Sequence, residues 1–97
     1  MSTDTLSKTS DKTKVPPLYK VLLLNDDYTP MDFVVYILKR YFRKTAEEAE
    51  VIMFEGHSKG AAIAGIYSLE IAETKVSQAH RAARQEGHPL RCVIEPE

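Results

Sequence analysis

The sequence has a single cysteine, Cys92. One cysteine makes neither an internal disulfide nor a thiolate zinc cage, and a chain without disulfides fits the reducing cytoplasm. Long apolar runs are missing too. No stretch approaches the roughly 20 apolar residues of a membrane-spanning helix, and the first residues lack the apolar segment of a secretory signal, so none is expected. There is no excess charge of either sign: 13 Lys and Arg against 14 Asp and Glu give a formal net charge of −1. Bulk charge therefore draws the protein neither to nucleic acid nor to an anionic membrane. Lys39, Arg40, Arg43 and Lys44 form the one basic cluster. They flank a predicted helix C-terminus, where cations are favoured without any ligand. Internal repeats, G-x-S-x-G, C-x-x-C, H-E-x-x-H and phosphate-binding glycine loops are all absent, so no motif-bearing enzyme class is indicated.

What is present is a chain of 97 residues, 43% apolar and 28% charged, enough for one domain with one modest core. Residues 1–16 are mostly Ser, Thr, Lys and Asp, closed by a proline pair at Pro16 and Pro17. They bury too little surface to offset the entropy of ordering, which predicts a flexible N-terminal extension. Residues 17–97 form the domain. Tyr19 to Leu24 reads as a strand. Thr29, Pro30 and Asp32 then read as N-cap, first helical residue and third helical residue. Met31, Val34, Val35, Leu38 and Phe42 carry the helical period to about Arg43. Thr45 with Glu48 is a second capping box, with Ala49, Ile52, Met53 and Gly56 as the apolar stripe and Gly60 as the stop. Ala61 to Tyr67 is a second strand. Ser68 caps a third helix whose one face carries Leu69, Ala72, Val76, Ala79 and Ala83, ended by Gly87 and Pro89. Arg91 to Glu95 is a third strand. The order β-α-α-β-α-β predicts a two-layer α+β fold: three helices packed on a small three-stranded antiparallel sheet.

The stretch "LLLNDDYTPM" concentrates the chemistry. Asn25, Asp26 and Asp27 supply more hydrogen-bonding capacity than a turn uses. An Asx-turn leading into a helix accounts for one or two of them; a polar cup of acceptors aimed at a cationic donor accounts for all three. His57 is a structural or exposed residue, a metal ligand or a neutral acceptor; no second histidine stands four residues on, so zinc lacks support. His80 and His88 read as surface residues. Met31, Val34, Met53 and Leu90 read most simply as core, although methionines are soft enough to line a cavity. Gly56 interrupts the apolar stripe of its helix, where glycine costs about 1 kcal/mol relative to alanine. Either the helix frays there or the side-chain space is used by something else. Glu70, Glu73 and Lys75 crowd the start of the third helix. The two acids answer the helix dipole, or the three together form a charged rim for a partner.

"LNDDYTPMDFV", followed by "AETKV" and "HPLRC", resembles the ClpS family, the substrate adaptors of bacterial Clp proteases; the resemblance runs from Pro17 to Glu95. It implies a non-enzymatic adaptor without cofactor or metal. Such an adaptor binds the first residue of N-degron proteins beginning with Phe, Tyr, Trp or Leu. It hands them, as a monomer, to the N-terminal domain of a ClpA-type AAA+ unfoldase working with ClpP. By the same resemblance Asn25, Asp26 and His57 accept from the free α-amine. Thr29, Met31, Val34, Met53, Gly56 and Leu90 line the side-chain pocket, Asp27 stands at its mouth, and Glu70 and Lys75 meet the unfoldase. Gly56 departs from the family pattern, which has a larger apolar residue such as valine there. Two other classes stay open on the residues alone. One is a small metal-assisted hydrolase using Asp26, Asp27 and His57. The other is a docking module that modulates the unfoldase without reading first residues.

Overall fold

The computed structural model describes residues 16–97; the predicted extension lies outside them except for Pro16. Six elements follow in the expected order: β1 (Tyr19–Leu24), α1 (Met31–Phe42), α2 (Ala46–Lys59), β2 (Ala61–Tyr67), α3 (Leu69–Gln85) and β3 (Arg91–Pro96). β1 is the central strand of a three-stranded antiparallel sheet of order β2-β1-β3. Side chains alternate along a strand, so β1 sends Val21 and Leu23 inward, where they are buried. Leu22 faces outward, opposite Ile63 on one side and Val93 on the other. The helices supply Ile37, Leu38, Phe42, Ala49, Ala72, Ala79 and Ala83 to one cluster with the inward face of the sheet. This is the two-layer α+β architecture expected.

Small residues set the spacing of the layers. Ala72, Ala79 and Ala83 are fully or almost fully buried, and the absence of bulk on this stripe brings α3 close to the sheet. Leu69, expected on the same stripe, is 40% exposed; the sheet's cover begins one turn later, at Ala72. The register between β1 and β2 shifts between Val21 and Leu22, so that Gly65 and Ile63 face these two neighbours and Ala64 is unopposed, a β-bulge. The phenol of Tyr67 lies back over Gly65, where a Cβ would overlap the ring. Tyr67 in turn sits near the rings of Phe42 and the ammonium of Lys75.

The helix ends follow local chemistry, with two departures from expectation. Thr45 and Glu48 form the full reciprocal box, each side chain bonded to the other's backbone N–H at 3.1 and 2.9 Å. Gly60 takes the left-handed conformation at the end of α2, with φ 91°, which costs glycine no Cβ clash. Thr29 is not the N-cap of α1. That position belongs to Pro30, whose carbonyl accepts from Phe33 and Val34 N–H. The Thr29 hydroxyl is turned away toward the Asp26 carboxylate, a charged and therefore stronger acceptor. Ser68 occupies its expected N-cap position, but its side chain makes no capping bond.

Two histidines expected at the surface are half-buried. His88 packs edge-on against Phe33, ring centroids 4.6 Å apart. His80 accepts a bond at Nε2 from the backbone N–H of Cys92, 3.0 Å, on the free edge of the sheet. The sequence carried no sign of these contacts, because each joins distant segments: His88 meets α1, and His80 on α3 meets the start of β3.

Thr45→Ala removes the hydroxyl half of the α2 box. It should lower stability by about 1 kcal/mol and the thermal midpoint by roughly 4–8 °C, measured by calorimetry, with the far-ultraviolet spectrum unchanged.

Candidate functional site

The loop after β1 is built around one carboxylate. Asp26 Oδ1 accepts from Tyr28 N–H at 2.8 Å and Thr29 N–H at 2.7 Å, and Oδ2 accepts from the Thr29 hydroxyl at 2.8 Å. This is an Asx-type turn, and it answers half of the question the sequence raises: of the three consecutive polar residues, Asp26 does the turning. A carboxylate offers about four lone-pair positions. Three are used here, which leaves one on Oδ2. The neighbouring Asn25 is held by its backbone: its N–H donates to the Gly60 carbonyl at 2.9 Å. That bond fastens the loop to the C-terminal end of α2, the turn that carries His57. Among the described residues the side chains of Asn25 and Asp27 take no part in the turn. Both residues are exposed, as is His57.

These groups surround a pocket of about 320 Å³. Asn25, Asp26, Asp27 and His57 supply its polar wall. Val34 from α1, Met53 and Gly56 from α2, and Leu90 from the segment before β3 supply the apolar wall, with Thr29 and Met31 between the two. All ten pocket and amine-binding residues named from the sequence therefore line one cavity. Met53 and Leu90 are 8% and 4% exposed, as core residues would be, but Met31 is 49% exposed. Met31 stands at the helix start beside the opening, so its expected place in the core is corrected to a place on the rim. Leu23, Leu24, Tyr28 and Pro30 line the pocket as well and were not singled out. Tyr28 and Pro30 lie inside the quoted motif. Leu23 and Leu24 gave no signal beyond their place in a short apolar strand.

Gly56 is buried at the meeting of α2 with the sheet. A methyl group there would meet the Ala62 Cβ at 3.8 Å and the Leu23 carbonyl oxygen at 4.0 Å, ordinary contact distances. Crowding does not demand glycine, and the helix does not fray before Gly60. The missing side chain leaves space on the wall of the pocket.

Asp26 gives the cup a negative charge. Burial raises the Asp26 carboxyl, but the bonds from Thr29 and Tyr28, with help from His88, outweigh it and hold the group below the ordinary carboxylate value. Asp26 is thus an anion throughout the neutral range. Among the described residues no three His, Cys, Asp or Glu side chains are grouped to hold a metal ion.

Glu70 and Lys75 are not brought to the pocket. They line a separate shallow groove on α3 with Ile71, Thr74 and Gln78. Glu70 is exposed. Lys75 is partly buried, and its ammonium donates to the Tyr41 carbonyl at 2.7 Å, where it satisfies the end of α1. Its ammonium thus serves another helix than its own.

Comparison with known proteins identifies the family and the fold. The sequence pattern of the family described as "ATP-dependent Clp protease adaptor protein ClpS" matches residues 14–93. The ATP-dependent Clp protease adapter protein ClpS of Deinococcus radiodurans is 58% identical over 95 residues, covering 98% of this chain and 82% of that protein. The protein of the same name from Parvibaculum lavamentivorans is 56% identical over 95 residues, covering 98% and 86%. Among solved structures, Agrobacterium tumefaciens ClpS2 bound to L-phenylalaninamide superposes with a TM-score of 0.83 at 42% identity, covering 86% of this chain and all of that one.

Thr29→Val keeps the shape and the backbone bonds but deletes the hydroxyl donor to Asp26. The carboxyl should titrate closer to its ordinary value, followed by carbon-13 NMR. A carboxyl whose folded value is lowered contributes stability that is fully present above its unfolded value, 3.8, and lost as pH falls through the lowered one. The variant should therefore lose part of this contribution, and its acid unfolding should begin at higher pH.

Proposed function

The chain belongs to the ClpS family of Clp protease adaptors, and we propose that its pocket holds the first residue of a protein chain, α-amine and side chain together. The observation that carries this reading is the pairing of two walls in one cavity: acceptors at Asn25, Asp26 and His57 against an apolar surface of Val34, Met53 and Leu90. A first residue has the matching two-sided chemistry. Its α-ammonium is a cation with three donors, and its side chain can be large and apolar. L-phenylalaninamide, the ligand of the Agrobacterium relative, combines an α-amine with a phenyl ring and carries an amide where a peptide would continue.

The residues divide the work by their chemistry. Asp26 offers the charge and its remaining lone-pair position on Oδ2. Asn25 offers its amide oxygen, with its backbone already fixed to Gly60. A neutral His57 ring nitrogen serves as third acceptor. Capture of an N-terminal amine is a known mode of peptide recognition. Asp27 at the mouth adds negative charge without a bond. The apolar wall selects bulky residues such as Phe, Tyr, Trp and Leu, since burying such a side chain is worth about 1.5–3 kcal/mol. The protein acts by binding, and delivers what it holds to a ClpA-type AAA+ unfoldase paired with ClpP. The α3 face that carries Glu70 meets the unfoldase, and Lys75 braces that face from beneath through Tyr41. The polar extension over residues 1–16 serves delivery.

Labelled peptides differing only in their first residue test the reading. Phe should bind at least about tenfold more tightly than Ser, from the burial of the ring; equal affinities would refute it. The same series tests Gly56. If the open wall lowers the fit of leucine, because unfilled space forfeits dispersion contact, Gly56→Val should improve Leu relative to Trp. Unchanged affinities for all residues would remove Gly56 from the pocket wall.

A further inference from the structure

Leu90 forms part of the apolar wall, yet it belongs to no helix or strand; β3 begins only at Arg91. What holds it in place is visible in the backbone on either side. Two residues before it, His88 N–H donates to the Ala83 carbonyl at 2.8 Å. Two residues after it, Cys92 N–H donates to His80 Nε2 at 3.0 Å. Both acceptors lie on α3. The segment from His88 to Cys92 is thus pinned to that helix at each end, with Leu90 at its midpoint. The second pin is unusual in kind. Among the described residues β3 is an edge strand that pairs only with β1, and the bond from Cys92 goes to a side chain of α3. The bond satisfies an edge N–H that otherwise needs water or another strand.

We propose that His80 is a positioning residue for the pocket: its neutral ring holds the start of β3 to α3 and thereby sets Leu90 against the bound side chain. Acceptance at Nε2 requires the ring proton to sit on Nδ1, so a protonated ring has no acceptor left and the pin opens. The charges around the ring work against that. Arg84, one turn further along α3, and Arg91 on β3 oppose a second positive charge, while Glu73 lines the same shallow groove from α3 and is the one acid there. Burial is the main influence disfavouring the charged ring, and together with the two arginines it holds the group below the usual histidine range. At neutral pH the pin is closed.

The test compares wild type, His80→Leu and His80→Gln. Leucine fills space and cannot accept; glutamine places a non-titrating acceptor oxygen at similar reach. In the free protein, the Leu90 methyl resonances and the exchange protection of the Cys92 amide are followed by NMR between pH 7.5 and 5. His80→Leu should lose Cys92 protection and shift or broaden the Leu90 methyls at every pH. His80→Gln should retain the wild-type signals and keep them on acidification, whereas wild type should move toward the leucine variant as the ring protonates. Should His80→Leu fail to fold, the wild-type titration against His80→Gln decides alone. The proposal is overturned if Cys92 stays protected without an acceptor, or if its protection is lost and Leu90 does not respond. The affinity arm rests on the reading of the pocket as a first-residue site: a Phe-starting peptide should bind about two- to tenfold more weakly to His80→Leu and as in wild type to His80→Gln. If wild type binds no such peptide, that reading falls, while the NMR arm still decides the role of His80.

Discussion

The architecture of the site depends on the Asp26 carboxylate and its three local donors. Without them the loop from Asp26 to Pro30 loses its internal bonds, because Pro30 has no N–H to donate and the Thr29 hydroxyl is engaged by Asp26 and does not cap α1. With them, the loop is closed over Asp26, and Asn25, Asp27 and Tyr28 take set positions around the cavity. The same bonds keep Asp26 ionised while one lone-pair position stays free. A carboxylate that turned the chain with all its lone pairs would leave nothing for a ligand. One that spent none would be a flexible anion whose ordering would weaken binding.

The rest of the domain supports that loop from three directions. β1 delivers it at the centre of the sheet, where the strand is held on both sides. α2 meets it through the Asn25–Gly60 bond and presents His57, Gly56 and Met53 from consecutive turns. α3 closes the far wall by holding the segment that bears Leu90. Each support comes from a different element, so the cavity exists only in the folded domain, although its walls come from separate parts of the chain.

Much of this was legible in the sequence, for identifiable reasons. Strong local signals marked the elements: the Thr45 and Glu48 box, the glycine stop at Gly60, the short apolar run of β1 and the small-residue stripe of α3. The excess of polar residues at positions 25–27 left a turn and a cup both open, and the resemblance to ClpS assigned Met53, His57 and Leu90 to the same site. What stayed illegible was contact between distant segments. Lys75 read as a rim residue because nothing near it in sequence announces the Tyr41 carbonyl, which lies 34 positions away. His80 read as a surface residue because its partner is a backbone N–H of an edge strand. Thr29 read as a cap because the pattern Thr-Pro-x-Asp is a good helix start; the charged acceptor three residues earlier competed for its hydroxyl and won.

The central claim is that Asp26 receives the α-ammonium as well as turning the chain, and a double-mutant cycle addresses it most directly. Calorimetric affinities are measured at pH 7 and fixed ionic strength for a Phe-starting peptide and its N-acetylated twin, against wild type and Asp26→Asn. In wild type, acetylation should cost about 2 kcal/mol or more, roughly 30-fold in affinity, the loss of a charge-assisted and partly buried set of bonds. In Asp26→Asn the penalty should be clearly smaller, because the charge that the amine answers has been removed. Equal affinity of the two peptides for wild type, or the same penalty in both proteins, would contradict the account.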